Sequence, residues 1–194
     1  MNIKSNKGVT LVEVMVTVAI LAIIIIPVST IFNTAYSSFI AEADRITAQQ
    51  GAREVLYGKT LSSYGSKYGL MGDLERSNAT SAGINIDDEP GDISISGQSI
   101  SIRDSGGSTK KYSFETDLDG RKKLFYENSE GKTDYFRDDM SSNNRPVVVK
   151  EFTVEKVKRH TETDSDILNI SVTVLCGKSG EITLNSTYRF PDIE

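Results

Sequence analysis

The sequence predicts an α+β chain: a long amino-terminal helix, first apolar enough to cross a membrane and then amphipathic, packed on an antiparallel β head. Three observations carry this. Residues 9–32 form an apolar run whose single ionisable side chain is Glu13. From Phe32 onward the apolar residues thin to spacings of three and four, the period of one helical face. Beyond residue 92 the period falls to two, punctuated by glycine-containing turns.

The first run has 24 residues, about 36 Å as a helix, enough for a hydrocarbon core of roughly 30 Å. Phe32, Tyr36, Phe39, Ala43 and Ile46 continue as one face, and Ala52, Val55 and Leu56 extend it. One helix is therefore expected from about Thr10 to Leu61, ended by Gly58, Gly65, Gly69 and Gly72. Pro27 lies inside it, cannot donate to the Ile23 carbonyl, and predicts a kink. Residues 62–92 read as loop, with a short helix near 70–76. Hairpins follow around Gly97-Gln98, around Asp119-Gly120 as a type I′ turn pair, and around Glu130-Gly131. Residues 147–154 are a β-branched run.

The last hairpin is the clearest. Leu168, Ile170, Val172, Val174 and Cys176 share one face, and Ile182, Leu184, Tyr188 and Phe190 share another. Asn169, Ser171, Thr173, Glu181, Thr183 and Asn185 point the other way, so one face is expected in the core and one in water. Helix residues such as Phe39 and Ile46 are expected to cover the inner face, since a lone hairpin is marginal.

Composition excludes several functions. The chain has 194 residues and a net charge of −5; removing residues 1–8 takes away Lys4 and Lys7 and leaves −7. Nucleic-acid binding by bulk charge is disfavoured. Two basic clusters, Arg121-Lys122-Lys123 and Lys156 with Lys158 and Arg159, read as solvated strand ends. His160 is the single histidine and Cys176 the single cysteine, so no intrachain disulfide or two-histidine mechanism is available. Cys176 reads as a buried, inert thiol. No catalytic constellation or cofactor motif appears, and no enzyme is expected. Asp117-Leu118-Asp119-Gly120 fails the calcium-loop register: with Glu115 as the first position, Tyr126 stands at the twelfth in place of a carboxylate. Asp87, Asp88, Glu89 and Asp92 form an acidic patch with the composition of a calcium-binding loop.

The informative stretch is Lys7-Gly8-Val9-Thr10-Leu11-Val12-Glu13. Lys4 and Lys7 are the only charges before the apolar run and orient it with its start in the cytoplasm. A secretory signal peptide has a shorter apolar core and no acid in it. A carboxylate at membrane depth costs about 2.5–3.5 kcal/mol, so Glu13 needs a partner and a purpose. The segment resembles the class III prepilins, the precursors of type IV pilins and of the pseudopilins of secretion and competence machines. The resemblance covers position 7 to about position 31. It implies cutting between Gly8 and Val9 by a prepilin peptidase and N-methylation of Val9. It also implies that Glu13, assisted by Thr10, pairs with the Val9 ammonium of a neighbouring subunit.

The expected division is a leader at 1–8, a transmembrane and filament-core helix at 9–32, an amphipathic stem at 33–63 and a β-rich head at 64–194. The late strand at 152–154 and the terminal hairpin resemble J-class pseudopilins and W-type minor pilins. The expected role is a minor structural subunit of a type IV pilus or related filament. The alternatives are a pseudopilin of a type II secretion or DNA-uptake machine, an adhesin-like minor pilin, and a membrane-anchored binding protein outside any filament. The implied partners are other pilin subunits, the prepilin peptidase, the assembly platform protein and, before assembly, membrane lipid. The implied end location is an extracellular or envelope filament.

Overall fold

The computed structural model describes residues 9–59, 67–77, 84–86, 93–104, 106–136, 146–157 and 167–190. Gly8, the acidic patch at 87–92, Lys158, Arg159 and His160 lie outside them. The chain divides into two compact units, one ending at Ala41 and one beginning at Glu42.

Helix α1 spans Leu11–Tyr57 and runs on through Pro27. Gly58 follows with φ 81°, the left-handed conformation that ends many helices. In the unit up to Ala41 the large apolar side chains, Val9 to Phe39, are exposed around the helix. Its threonine hydroxyls turn back onto the helix: Thr17 donates to the Glu13 carbonyl at 2.7 Å and Thr30 to the Ile26 carbonyl at 3.0 Å. No polar hydrogen at these positions is left to face lipid.

The second unit is built on two larger sheets. Strands β1 (Gly58–Lys59) and β2 (Lys67–Tyr68) form a short antiparallel pair, and helix α2 follows at Leu70–Arg76. The six-stranded sheet runs in the order β3 (Ile84–Ile86), β4 (Ile93–Ser96), β5 (Ser99–Arg103), β6 (Thr109–Thr116), β7 (Lys122–Asn128), β8 (Gly131–Asp134). β3 pairs with β4 in parallel, an exception to the expected antiparallel pattern. The three-stranded sheet has β10 (Ile167–Cys176) between β9 (Val147–Val157) and β11 (Glu181–Arg189).

Four expectations are corrected in detail. First, the helix face on the core is not that of Phe39 and Ile46, which are exposed. Ala52, Val55 and Leu56 are buried as expected, and the rest of the packed face is Asp44, Ala48 and Gly51. Asp44 and Ile46 are two residues apart, about 200° round a helix, so a helix that buries one exposes the other. The packed face is small where it meets the sheet: a Cβ on Gly51 would lie 2.7 Å from Val147 Cγ1. Second, the β6–β7 turn is closed by the Gly120 N–H to the Asp117 carbonyl at 2.9 Å. Leu118 and Asp119 are its central pair and Gly120 follows at φ 76°, a bulged three-residue loop in place of a two-residue type I′ turn.

Third, Thr173 is on the outward face but only 7% exposed, with its Oγ1 2.8 Å from Thr183 Oγ1. Fourth, residues 62–92 hold β2 and β3 as well as α2. The inner face of β10 agrees with the reading: Leu168, Ile170, Val172, Val174 and Cys176 are all buried. β9 carries a bulge, since Thr173 faces Glu151 and Val174 faces Val149, leaving Lys150 extra. The extra residue puts Val149 and Phe152 into the core although they are an odd number apart.

Candidate functional site at the helix start

Thr10 is the N-cap of α1. Its carbonyl accepts the first helical bond, from the Val14 N–H at 3.3 Å. Its hydroxyl oxygen accepts the Glu13 N–H at 3.3 Å. The Glu13 carboxylate reaches back, and Oε2 accepts the Thr10 N–H at 3.0 Å and the Thr10 hydroxyl at 3.0 Å. This is a reciprocal capping box, with each side chain satisfying a backbone N–H that the first turn would leave orphaned. The acid also sits at the positive end of the helix dipole.

The structure therefore brings Thr10 and Glu13 together, within one subunit. Val9 is exposed just before the cap, and Pro27 lies sixteen residues beyond the helix start, within the apolar span. The sequence couples Thr10 to Glu13 as an aid to a contact with another chain; the structure adds that the two form a reciprocal box within this one. The signal was present: Thr-x-x-Glu before an apolar run is the capping-box pattern.

The head contains a second carboxylate cluster. Asp73, 2% exposed, accepts Lys110 Nζ at 2.7 Å, Tyr112 OH at 2.7 Å and Arg76 at 2.9 Å. Burial chiefly, and then the Asp73 charge, pushes the Tyr112 phenol well above its ordinary value. Asp44, also buried, accepts the Lys178 N–H at 2.8 Å and ties α1 to the β10–β11 turn. In the Asp117 loop the chain supplies its own cation. Lys123 Nζ lies 2.7 Å from Asp117, 3.7 Å from Asp119 and 3.7 Å from Asp134. That hydrogen bond, with one from the Leu118 N–H, holds the Asp117 carboxyl below its usual value. Among the described residues no three acids, histidines or cysteines are arranged to hold a metal ion. Cys176 is buried, and Ser179 accepts its backbone N–H at 3.0 Å.

α1 is long and apolar enough to cross a membrane. Residues 3–29 match the family model of the prokaryotic N-terminal methylation motif. No curated protein and no solved structure matches the chain.

Proposed function

From a chain that carries the amino-terminal methylation motif typical of type IV pilins and pseudopilins, we propose a structural subunit of a pilus-type filament. The carrying observation is the match at residues 3–29, centred on an acid that caps an otherwise apolar, exposed helix. The precursor is inserted with residues 1–8 in the cytoplasm and the head outside. A prepilin peptidase cuts after Gly8, and Val9 is methylated. The platform protein then moves the helix from lipid into the filament core, where Glu13 faces the Val9 ammonium of a neighbour. Two charges that would each be costly alone in an apolar core are thereby paired. Thr10 keeps the carboxylate hydrogen-bonded until that partner arrives. Pro27 supplies the softened point in the helix.

The lack of any disulfide and the long connections favour a minor subunit over the main one. The deciding experiment is the intact mass and first residue of the mature protein. A methylated Val9, with Gly8→Glu leaving the precursor uncut, supports the reading. A mature start near Ala35 or Glu42 would mean an ordinary signal peptide and end it. A secretin and exoprotein genes nearby, or DNA-uptake genes, would move the assignment to a pseudopilin.

A further inference from the structure

The three-stranded sheet has two edges, and they are built differently. β9 has the bulge at Lys150 and carries Lys150, Glu151, Glu155 and Lys156. A bulge and charges are devices that stop a strand edge from pairing with another chain. β11 has neither between its ends. Residues 182–188 are uncharged and proline-free, and they pair with β10 in one unbroken register. Among the described residues, no strand pairs with the other side of β11. Two of its outer-face side chains are held: Thr183 is hydrogen-bonded to Thr173, and Thr187 donates to Asn169 Oδ1 at 3.2 Å. On its inner face, Ser186 Oγ lies 3.1 Å from Tyr57 OH. The strand is thus pre-ordered, which reduces what pairing would cost in lost freedom.

β11 is also its own complement. Lay two copies antiparallel about a two-fold axis through Asn185. Glu181 of each copy then stands opposite Arg189 of the other, and Thr183 stands opposite Thr187. On the other face Ile182 meets Tyr188 and Leu184 meets Ser186, so the half-buried apolar row continues across the junction. Moving the centre to Leu184 or Ser186 shortens the ladder and sets Glu181 against Thr187, or Arg189 against Thr183. The register that uses the whole strand is the one that pairs the charges, and opposite charges directly across a ladder are favourable.

We propose that β11 is a docking edge for a second copy of this chain, joined as an antiparallel, isologous pair. Such a contact is closed and uses the same patch twice. It is separate from the helix contact proposed for the filament, and stands or falls without it.

The test uses the full chain in detergent micelles or nanodiscs. Asn185→Cys puts a thiol on the two-fold axis, and wild type, with Cys176 buried, reports the background. Mild oxidation should give a covalent dimer through position 185. Glu151→Cys, on the guarded edge, should not. In the Asn185→Cys background, Glu181→Arg or Arg189→Glu sets like charges together at both ends of the ladder. Either should cut dimer yield about tenfold. The double reversal should restore it, an outcome that helix-driven association cannot produce because every variant has the same helix. No dimer through position 185, equal dimer through position 151, failure of the double reversal, or crosslinking to a different companion subunit instead of a second copy would each overturn the proposal.

Discussion

The two acids that organise this molecule, Glu13 and Asp73, are satisfied in opposite ways. Glu13 is served from three residues away, by the Thr10 N–H and hydroxyl. Asp73 takes Lys110 and Tyr112 from 37 and 39 residues away. The first arrangement forms with a single turn of helix and needs no tertiary structure. The second exists only when α2 and β6 have met. A locally satisfied acid can travel between lipid and protein without losing its partner. An acid satisfied at long range locks two elements of a head that has to stay folded.

That contrast breaks most severely in the head. Val172 is fully buried at the centre of β10, between Phe152 and Leu184. Val172→Asp places an unpaired charge there and should cost about 4 kcal/mol or more, enough to unfold a marginal domain. Thermal unfolding and limited proteolysis of the full chain would read it. Thr173→Asp, one residue on, should cost less but not nothing. Its hydroxyl bond to Thr183 would be lost, and Asp would stand near Glu151 on the same face, about 1–2 kcal/mol. Equal effects would show that the parity of β10 does not govern the core.

Next comes Asp73→Asn. It leaves Tyr112 and Lys110 without their anionic acceptor, and about 2–3 kcal/mol of head stability should go. The same network sets the alkaline limit. Burial first, then Asp73, raises Tyr126 from 10.0 to about 12, and burial chiefly raises Tyr135 and Tyr112 well above the ordinary phenol value. A raised folded value means that the fold favours the neutral phenol. Its stability is intact below the unfolded value near 10.0 and is lost as pH climbs above it. Phenolate absorbance and circular dichroism should therefore change together as pH rises from about 10 towards 12. Phenolate forming well before the dichroism changes would mean that the tyrosine cluster is open to solvent.

What was readable in the sequence follows the same division. The long helix, α2, the Gly97 hairpin and the buried face of β10 all depend on local period, and they stand as read. The packed face of α1 agrees with the reading at Ala52, Val55 and Leu56 and departs from it nearer the amino terminus. Phe39 and Ile46 are large, but a helix lying close on a sheet uses Ala48, Gly51 and Ala52. The Lys150 bulge hides inside Val147-Val148-Val149-Lys150-Glu151-Phe152, where alternation breaks and no single residue says which way. Arg76 stands three residues from Asp73 on α2, the spacing of a helical ion pair, but the acid's partners Lys110 and Tyr112 leave no local trace. The Thr10–Glu13 box does have one: the Thr-x-x-Glu spacing places the hydroxyl beside the carboxylate within one turn.

The smallest effect separates the helix cap that Glu13 forms from the intersubunit pairing proposed for it. Thr10→Val removes the hydroxyl from the box but leaves the backbone N–H that Glu13 also accepts. The loss of an N-cap side chain is worth about 1 kcal/mol, so the first turn should fray slightly while the membrane helix persists. Glu13→Val removes both the box and the charge that the proposed intersubunit pairing needs. Membrane insertion should become easier, because the one acid of the span is gone. Cleavage after Gly8 should continue in both variants, since the glycine and the basic leader are untouched. Co-purification or crosslinking with companion pilins then divides them: a sharp fall for Glu13→Val and a modest one for Thr10→Val. Two equal falls would mean that the box itself, and not the charge, is what assembly reads. If Glu13→Val is cleaved and assembles like wild type, the carboxylate is only a helix cap, and the pairing with Val9 is wrong.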